Sequence, residues 1–189
     1  LLPIFSGSST YDPSQMAQQA SQEGRTSWFI GQDMGASGDF VPFNKQKLFR
    51  LIGRGHGEWL HKNIKASILK IRQSTSTSTD YGTFSLVLRK LRDTDNAIVL
   101  MERFDNLTLD PRSPNFIARR IGDQYTSWDT TEKRLKAYGD YPNKSKFIRV
   151  EMNPDVEAGA TDPVLLPFGY FGPPKYTNIV DVQAYGNHQ

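Results

Sequence analysis

The chain has no cysteine, and that absence removes a disulfide framework, a thiolate zinc site, an iron–sulfur cluster and a cysteine nucleophile. It leaves the compartment open, because a cysteine-free protein is stable in either redox environment. Histidine is scarce too: His56, His61 and His188 leave little material for an imidazole metal site. No stretch approaches the roughly 20 apolar residues of a membrane-crossing helix, so no membrane span is expected. Acids are nearly missing between Lys45 and Arg92, where only Glu58 and Asp80 occur.

What is present suits a folded protein. Hydrophobic residues make up 37% of the 189, charged residues 23% and aromatics 12%, enough apolar material for a core and too much for a disordered chain. The length allows one domain, or one domain with dependent ends. Leu1–Phe5 is too short for a signal peptide, and a start at leucine reads like an excerpt from something longer. The net charge of +3 conceals a division. Residues 45–92 hold eleven bases against two acids, a net of +9, while the remainder holds 12 bases and 18 acids, a net of −6. Such a pairing suits nucleic acid, an acidic partner or a second copy of the chain.

Periodicity then places the elements. Asp12 and Pro13 suggest a marginal helix over Pro13–Gln22. Trp28-Phe29-Ile30 reads as a short strand, and Gly31–Asp39 as a loop. Lys47–Arg54 carries apolar residues on both faces of a strand. Ile64–Arg72 begins with alternation that slips at Leu69, the mark of a bulge or of cover on both sides. Ser74–Thr79 has nothing to bury and predicts a hairpin tip before a returning strand, Thr83–Leu91. Asp93-Thr94-Asp95-Asn96 is a turn cluster. The nearly continuous apolar run Ala97–Phe104 predicts a central strand. Ser113 and Pro114 open a predicted helix from Pro114 to about Tyr125, with Ile117, Ile121 and Tyr125 on one stripe and Arg119 and Arg120 outside it. Lys146–Met152 alternates again, and Asn153–Pro174 reads as a packed loop or connector. The expected class is α+β: mainly antiparallel sheet, sandwich-like, with a few flanking helices. The expected organisation is a linker or N-terminal extension over 1–24, an α+β domain over 25–152, and a Pro/Gly-rich connector over 153–189.

The chemical motifs fail on inspection. Gly53-Arg54-Gly55-His56-Gly57 lacks both the third glycine of a dinucleotide loop and the Gly-Lys ending of a P-loop, and reads as a turn between strands. His56 and His61 are five apart with no glutamate directly after the first, so the HExxH metal pattern is not met. Asp93–Asn96 starts like a calcium loop, but Ile98 and Phe104 occupy the positions of its glycine and glutamate. No serine sits in a nucleophile elbow, and no carboxylates are marked as a catalytic pair. Neither a cofactor nor an enzyme is expected, although a carbohydrate-active enzyme with unmarked carboxylates stays open.

One passage says more. Glu102-Arg103-Phe104-Asp105-Asn106-Leu107 ends a strand. Asp110-Pro111-Arg112-Ser113-Pro114-Asn115-Phe116 then leads towards a helix. Together with Gly57–Ile68 as the entry into a strand, this resembles the tail sheath proteins of contractile-tailed bacteriophages and related contractile injection systems, over roughly Lys47 to Met152. Lys62 stands where that family more often has glycine. The resemblance implies a non-enzymatic structural subunit that forms hexameric rings in a helical lattice around the tail tube. Contraction on a baseplate trigger then drives genome delivery into the host. It implies other copies of the chain, tail tube, baseplate and neck proteins as partners, assembly in the host cytoplasm and residence in the virion. The motif residues are Glu102, Phe104, Asn106, Leu107, Asp110, Pro111, Ser113, Pro114, Asn115 and Phe116. Candidate subunit contacts are Arg50, Arg54, Lys65, Lys70, Arg72, Arg89, Lys90, Arg92, Arg119 and Arg120. The alternative is a non-enzymatic module using residues 45–92 for nucleic acid or another anionic polymer. Against nucleic acid stand the absence of an aromatic RNA-binding motif and of a basic recognition helix.

Overall fold

The structure, a computed structural model, describes residues 23–35 and 41–171. The helix expected over Pro13–Gln22 lies outside them. In chain order the elements are β1 (Glu23–Arg25), β2 (Phe29–Ile30), β3 (Lys47–His56), α1 (Gly57–Asn63), β4 (Ile64–Arg72) and β5 (Thr83–Lys90). They continue as β6 (Leu100–Leu107), α2 (Ile117–Ile121), β7 (Tyr125–Asp129), β8 (Arg134–Tyr138), β9 (Ile148–Met152), α3 (Pro154–Glu157) and β10 (Gly169–Tyr170). The fold is α+β and mainly antiparallel β, with three short α-helices among the described residues.

Strand β3 organises the first sheet. Its ladder to β9 runs from Phe49↔Met152 to Gly53↔Ile148, while β1 and β2 share its other edge and β10 extends the sheet beyond β2. The second sheet has the order β4-β5-β6, with β5 in the middle. Leu48, Phe49, Leu51 and Ile52 are all at most 2% exposed, so β3 is covered on both faces as its doubled apolar pattern requires. Phe49 stacks on Phe29 in its own sheet (4.9 Å between ring centroids) and on Phe84 of β5 (5.9 Å). This aromatic bridge joins the two sheets. Leu86, Leu88, Leu107, Ile117 and Val150 complete the core around it. Each such side chain contributes about 1.5–3 kcal/mol when fully buried.

Several expectations change. The glycine-rich passage 53–57 is not a turn between strands. β3 runs on to His56 and α1 follows directly, with Glu58 in its first turn and His61 and Lys62 in its last, as the helix dipole favours. Gly53 makes this possible, since a Cβ there would overlap the Leu60 side chain. The apolar run from Ala97 does not form a central strand: β6 starts at Leu100 and lies at the sheet edge, leaving Ile98, Val99 and Leu100 exposed. β5 takes the central place, buried from Phe84 through Arg89 rather than on alternate residues.

The long helix from Pro114 to Tyr125 is also absent. Only Ile117–Ile121 is helical, Phe116 rather than Ser113 precedes it, and Gly122 stops it at φ 107°. Tyr125 begins the hairpin β7–β8 instead. The slip in β4 is a bulge, with Lys70 at φ 52° and the register shifting between Leu69 and Arg72. After Met152 the chain stays on the same core. Asn153 caps α3 by accepting a hydrogen bond from the Asp155 amide (2.9 Å), Leu165 and Leu166 are buried, and β10 pairs with β2.

Candidate interaction surfaces

The strand–turn–helix passage folds as one unit. Glu102 reaches back from β6 to accept hydrogen bonds from Ser145 Oγ (2.5 Å) and the Lys146 amide (2.9 Å), tying the second sheet to the segment that enters β9. Phe104 packs against the core, and Leu107, Leu109 and Phe116 are buried in it. Asn106 adopts φ 56°, a left-handed conformation that asparagine tolerates better than most residues. The register to β5 slips by one residue beside it, between Phe84 and Leu86. Asp110 and Pro111 open a turn in which the Ser113 amide donates to Asp110 O (3.1 Å) and the Arg112 amide to Asp110 Oδ1 (2.9 Å). Pro114 and Asn115 form the next turn, closed by Phe116 N to Ser113 O at 3.2 Å, while Ser113 Oγ accepts the Asn115 amide at 3.2 Å. Thr108 then pairs with Phe116 as an isolated parallel bridge, which delivers Ile117 to the core.

The basic section is partly neutralised by acids of the same chain. Among the described residues five of its eleven bases hold ion pairs: Lys45 with Asp33, Arg50 with Glu151, Lys62 with Glu58, Lys65 with Asp93, and Arg89 with Asp93 and Asp95. Arg89 is 5% exposed, which takes it out of any exposed cationic face. Its Nε donates to Asp93 Oδ2 (2.8 Å), its Nη1 to Asp95 Oδ1 (2.9 Å) and its Nη2 to Thr94 O (3.1 Å), so one guanidinium organises the whole turn. The Arg89 hydrogen bond is the largest cause holding the Asp93 carboxyl well below the usual carboxylate range; burial opposes it, and Lys65 and the Val99 amide add to it. Arg50 is half-buried, over the Trp28 ring at 4.9 Å.

The other predicted contacts lie apart. Lys90 and Arg92 sit at one end of the second sheet, and Lys70 and Arg72 flank the β4 bulge at the opposite end, all four exposed. Arg54 is exposed and donates to Ser145 O. Arg119 is half-buried over the Tyr141 ring (5.2 Å), and Arg120 beside it is exposed. Sequence reasoning missed Arg149, which is 8% exposed, pairs with Glu23 (3.1 Å) and lies 4.7 Å from the Tyr125 ring centroid. Its position inside the alternating Ile148–Met152 run was the available signal for a strand, not for burial on the polar face.

Three surface features remain. Among the described residues the hairpin β7–β8 pairs with no other strand, and Trp128 faces Leu135 across it, 58% and 69% exposed. An apolar cavity of about 110 Å³ lies under α1, lined by Leu51, Leu60, Ile64, Ala66, Leu88 and Ile148 among others. A polar cleft of about 240 Å³ opens between the two bulges, among Lys70, Arg72, Ser85, Asp105 and Asn106. There the Asp105 carboxyl is held low, first by Arg103 and then by Ser85. Among the described residues no cluster of His, Asp and Glu is arranged to hold a metal ion, and no helix is long and apolar enough to cross a membrane. No family model, no curated protein and no solved structure matches the chain.

Proposed function

We propose that the chain is a structural domain of a contractile tail sheath subunit, one that polymerises around a tail tube and contracts to drive genome delivery. The observation that carries this reading is the passage Glu102–Phe116, which resembles the sheath pattern and in which almost every motif residue has a defined task. Glu102 ties the two sheets, Asn106 turns the strand at a left-handed position, and Leu107 and Phe116 anchor the core. Asp110 holds the turn between them. The partial neutralisation of the basic section also favours this reading over a polyanion-binding module, because Lys65 and Arg89 are occupied by Asp93 and Asp95.

Sedimentation of the protein across a salt series, with a DNA gel-shift run in parallel, tests the choice. Lattice contacts between exposed charges predict self-association that weakens with salt and a gel-shift with no band. Strong salt-dependent DNA binding by the monomer overturns the structural reading.

A further inference from the structure

Two arginines share one face of the first sheet. In the β3–β9 ladder Arg149 stands opposite Ile52, and beyond it the Arg54 amide donates to Phe147 O at 2.8 Å. Arg54, two residues past Ile52, is therefore the diagonal neighbour of Arg149, about 7–8 Å away on the same face. Other arginines of this face are matched by acids: Arg50 meets Glu151, and Arg149 itself meets Glu23. Arg54 meets no carboxylate among the described residues, and its Nη1 donates to the Ser145 carbonyl. It belongs to the glycine-rich passage 53–57, which is no phosphate loop. Its backbone amide is used in the ladder, so the passage offers a side chain instead.

Both arginines line a polar cleft of about 310 Å³, where β1, β3 and β9 meet the base of the β7–β8 hairpin. That volume is at the lower end of small-ligand sites, about 300–1,000 Å³. Arg149 is built into the wall. Its side chain is 9% exposed, its guanidinium lies 4.7 Å from the Tyr125 ring centroid, and its Nη2 donates to Glu23 at 3.1 Å. That bond uses one of five N–H groups. No nitrogen of Arg149 is sealed without a partner, so the remaining N–H groups open onto the cleft. Asn143 Nδ2 holds the far wall by donating to Gln124 O at 2.6 Å. Two guanidinium groups against the one carboxylate of Glu23, itself 42% exposed, leave the cleft at +1. We infer that this cleft is an oxyanion site that takes a terminal phosphate, free or as a monoester, bridged between Arg54 and Arg149. Guanidinium forks match phosphate oxygens in pairs. A terminal phosphate carries a second negative charge above about pH 6 and answers both cations, whereas a phosphodiester carries one. The inference does not depend on the sheath reading.

Calorimetric titration of the full chain tests the site, at low salt and about pH 8, where a phosphate monoester is dianionic. The probes are inorganic phosphate, glycerophosphate and dimethyl phosphate. Inorganic phosphate is expected to bind saturably, and dimethyl phosphate at least about tenfold more weakly. Glycerophosphate binding as tightly as phosphate places the terminal group of a larger molecule in the cleft, and its exclusion restricts the site to the free ion. Arg54→Gln, at an exposed position, is expected to weaken phosphate binding at least about tenfold with an unchanged melting curve. Glu23→Gln keeps an acceptor for Arg149 but removes the competing charge, and is expected to tighten binding at least about threefold. An Arg149–Glu23 pair with a structural role alone predicts no such tightening. Absence of saturable binding overturns the site, as does binding that Arg54→Gln or Glu23→Gln leaves unchanged. Dimethyl phosphate binding as tightly as phosphate overturns the assignment to a terminal phosphate.

Discussion

Gly122→Ala tests the junction on which the second half of the fold turns. Gly122 ends α2 at φ 107° and ψ 151°, a region that essentially only glycine enters. Its amide donates to Ala118 O (2.7 Å) and its carbonyl accepts from Val150 N (2.8 Å), so the peptide is held on both sides. A Cβ there would lie 2.6 Å from Asn143 Oδ1 and 2.8 Å from the Asn143 nitrogen, and closer still to its Cα. Backbone atoms cannot rotate aside, so the steric cost adds to a conformational cost of about 1–3 kcal/mol. The sum exceeds about 3 kcal/mol, a large share of the roughly 5–15 kcal/mol that holds a domain together. At about 2–4 °C per kcal/mol for a chain of this size, Tm falls by about 6–12 °C or more. Two other glycines calibrate the effect. Gly35 has φ 83° with open space around a Cβ, so Gly35→Ala isolates the conformational cost, about 1 kcal/mol. Gly55 has neither a positive φ nor a neighbour in the way, and Gly55→Ala is expected within about 0.5 kcal/mol of the parent. Urea and thermal melts of the three variants, followed by circular dichroism, give the ranking. A Gly122→Ala protein as stable as Gly55→Ala refutes the reasoning.

The remaining predictions concern the polar ties. Glu102→Ala leaves the buried Ser145 hydroxyl and the Lys146 amide without their acceptor and is expected to cost about 1–3 kcal/mol in urea melts, with Glu102→Gln recovering part of it. Because Asp93 is held below its unfolded pKa, its contribution is fully present above about pH 4 and is lost as pH falls through the folded value. Hydrogen exchange should therefore show residues 91–99 loosening in acid. Asp93→Asn should loosen them already at neutral pH, with a flatter pH profile; a profile identical to the parent's counts against the Arg89–Asp93 account. Phe116→Ala removes a fully buried ring from the motif and is expected to cost about 3–5 kcal/mol by the same melts.

The sheets were legible where one physical signal dominated. β4 and β9 alternate, and the doubled pattern of β3 matches its cover on both sides. The β4 slip announced the Lys70 bulge. Legibility failed where tertiary context outweighed period. Phe116, Ile117 and Ile121 have helical spacing, but one turn buries them all, and Gly122 then breaks the stripe before Tyr125. The hairpin β7–β8 left no trace because nearly all of its side chains face water, so no apolar period marks it. The contact candidates were read from charge alone, which cannot tell Arg89, enclosed by Asp93 and Asp95, from the exposed Lys90 beside it. The acids that pair with five of its bases come from residues 33, 93, 95 and 151, outside the limits of the basic section, as well as from Glu58 within it.

The sheath reading is tested most directly by electron microscopy of the protein concentrated at low salt, with and without a tail tube as template. The account predicts tubes or stacked rings with six-fold symmetry, shorter or fewer as salt is raised. Particles that stay monomeric or dimeric in every condition, template included, contradict it.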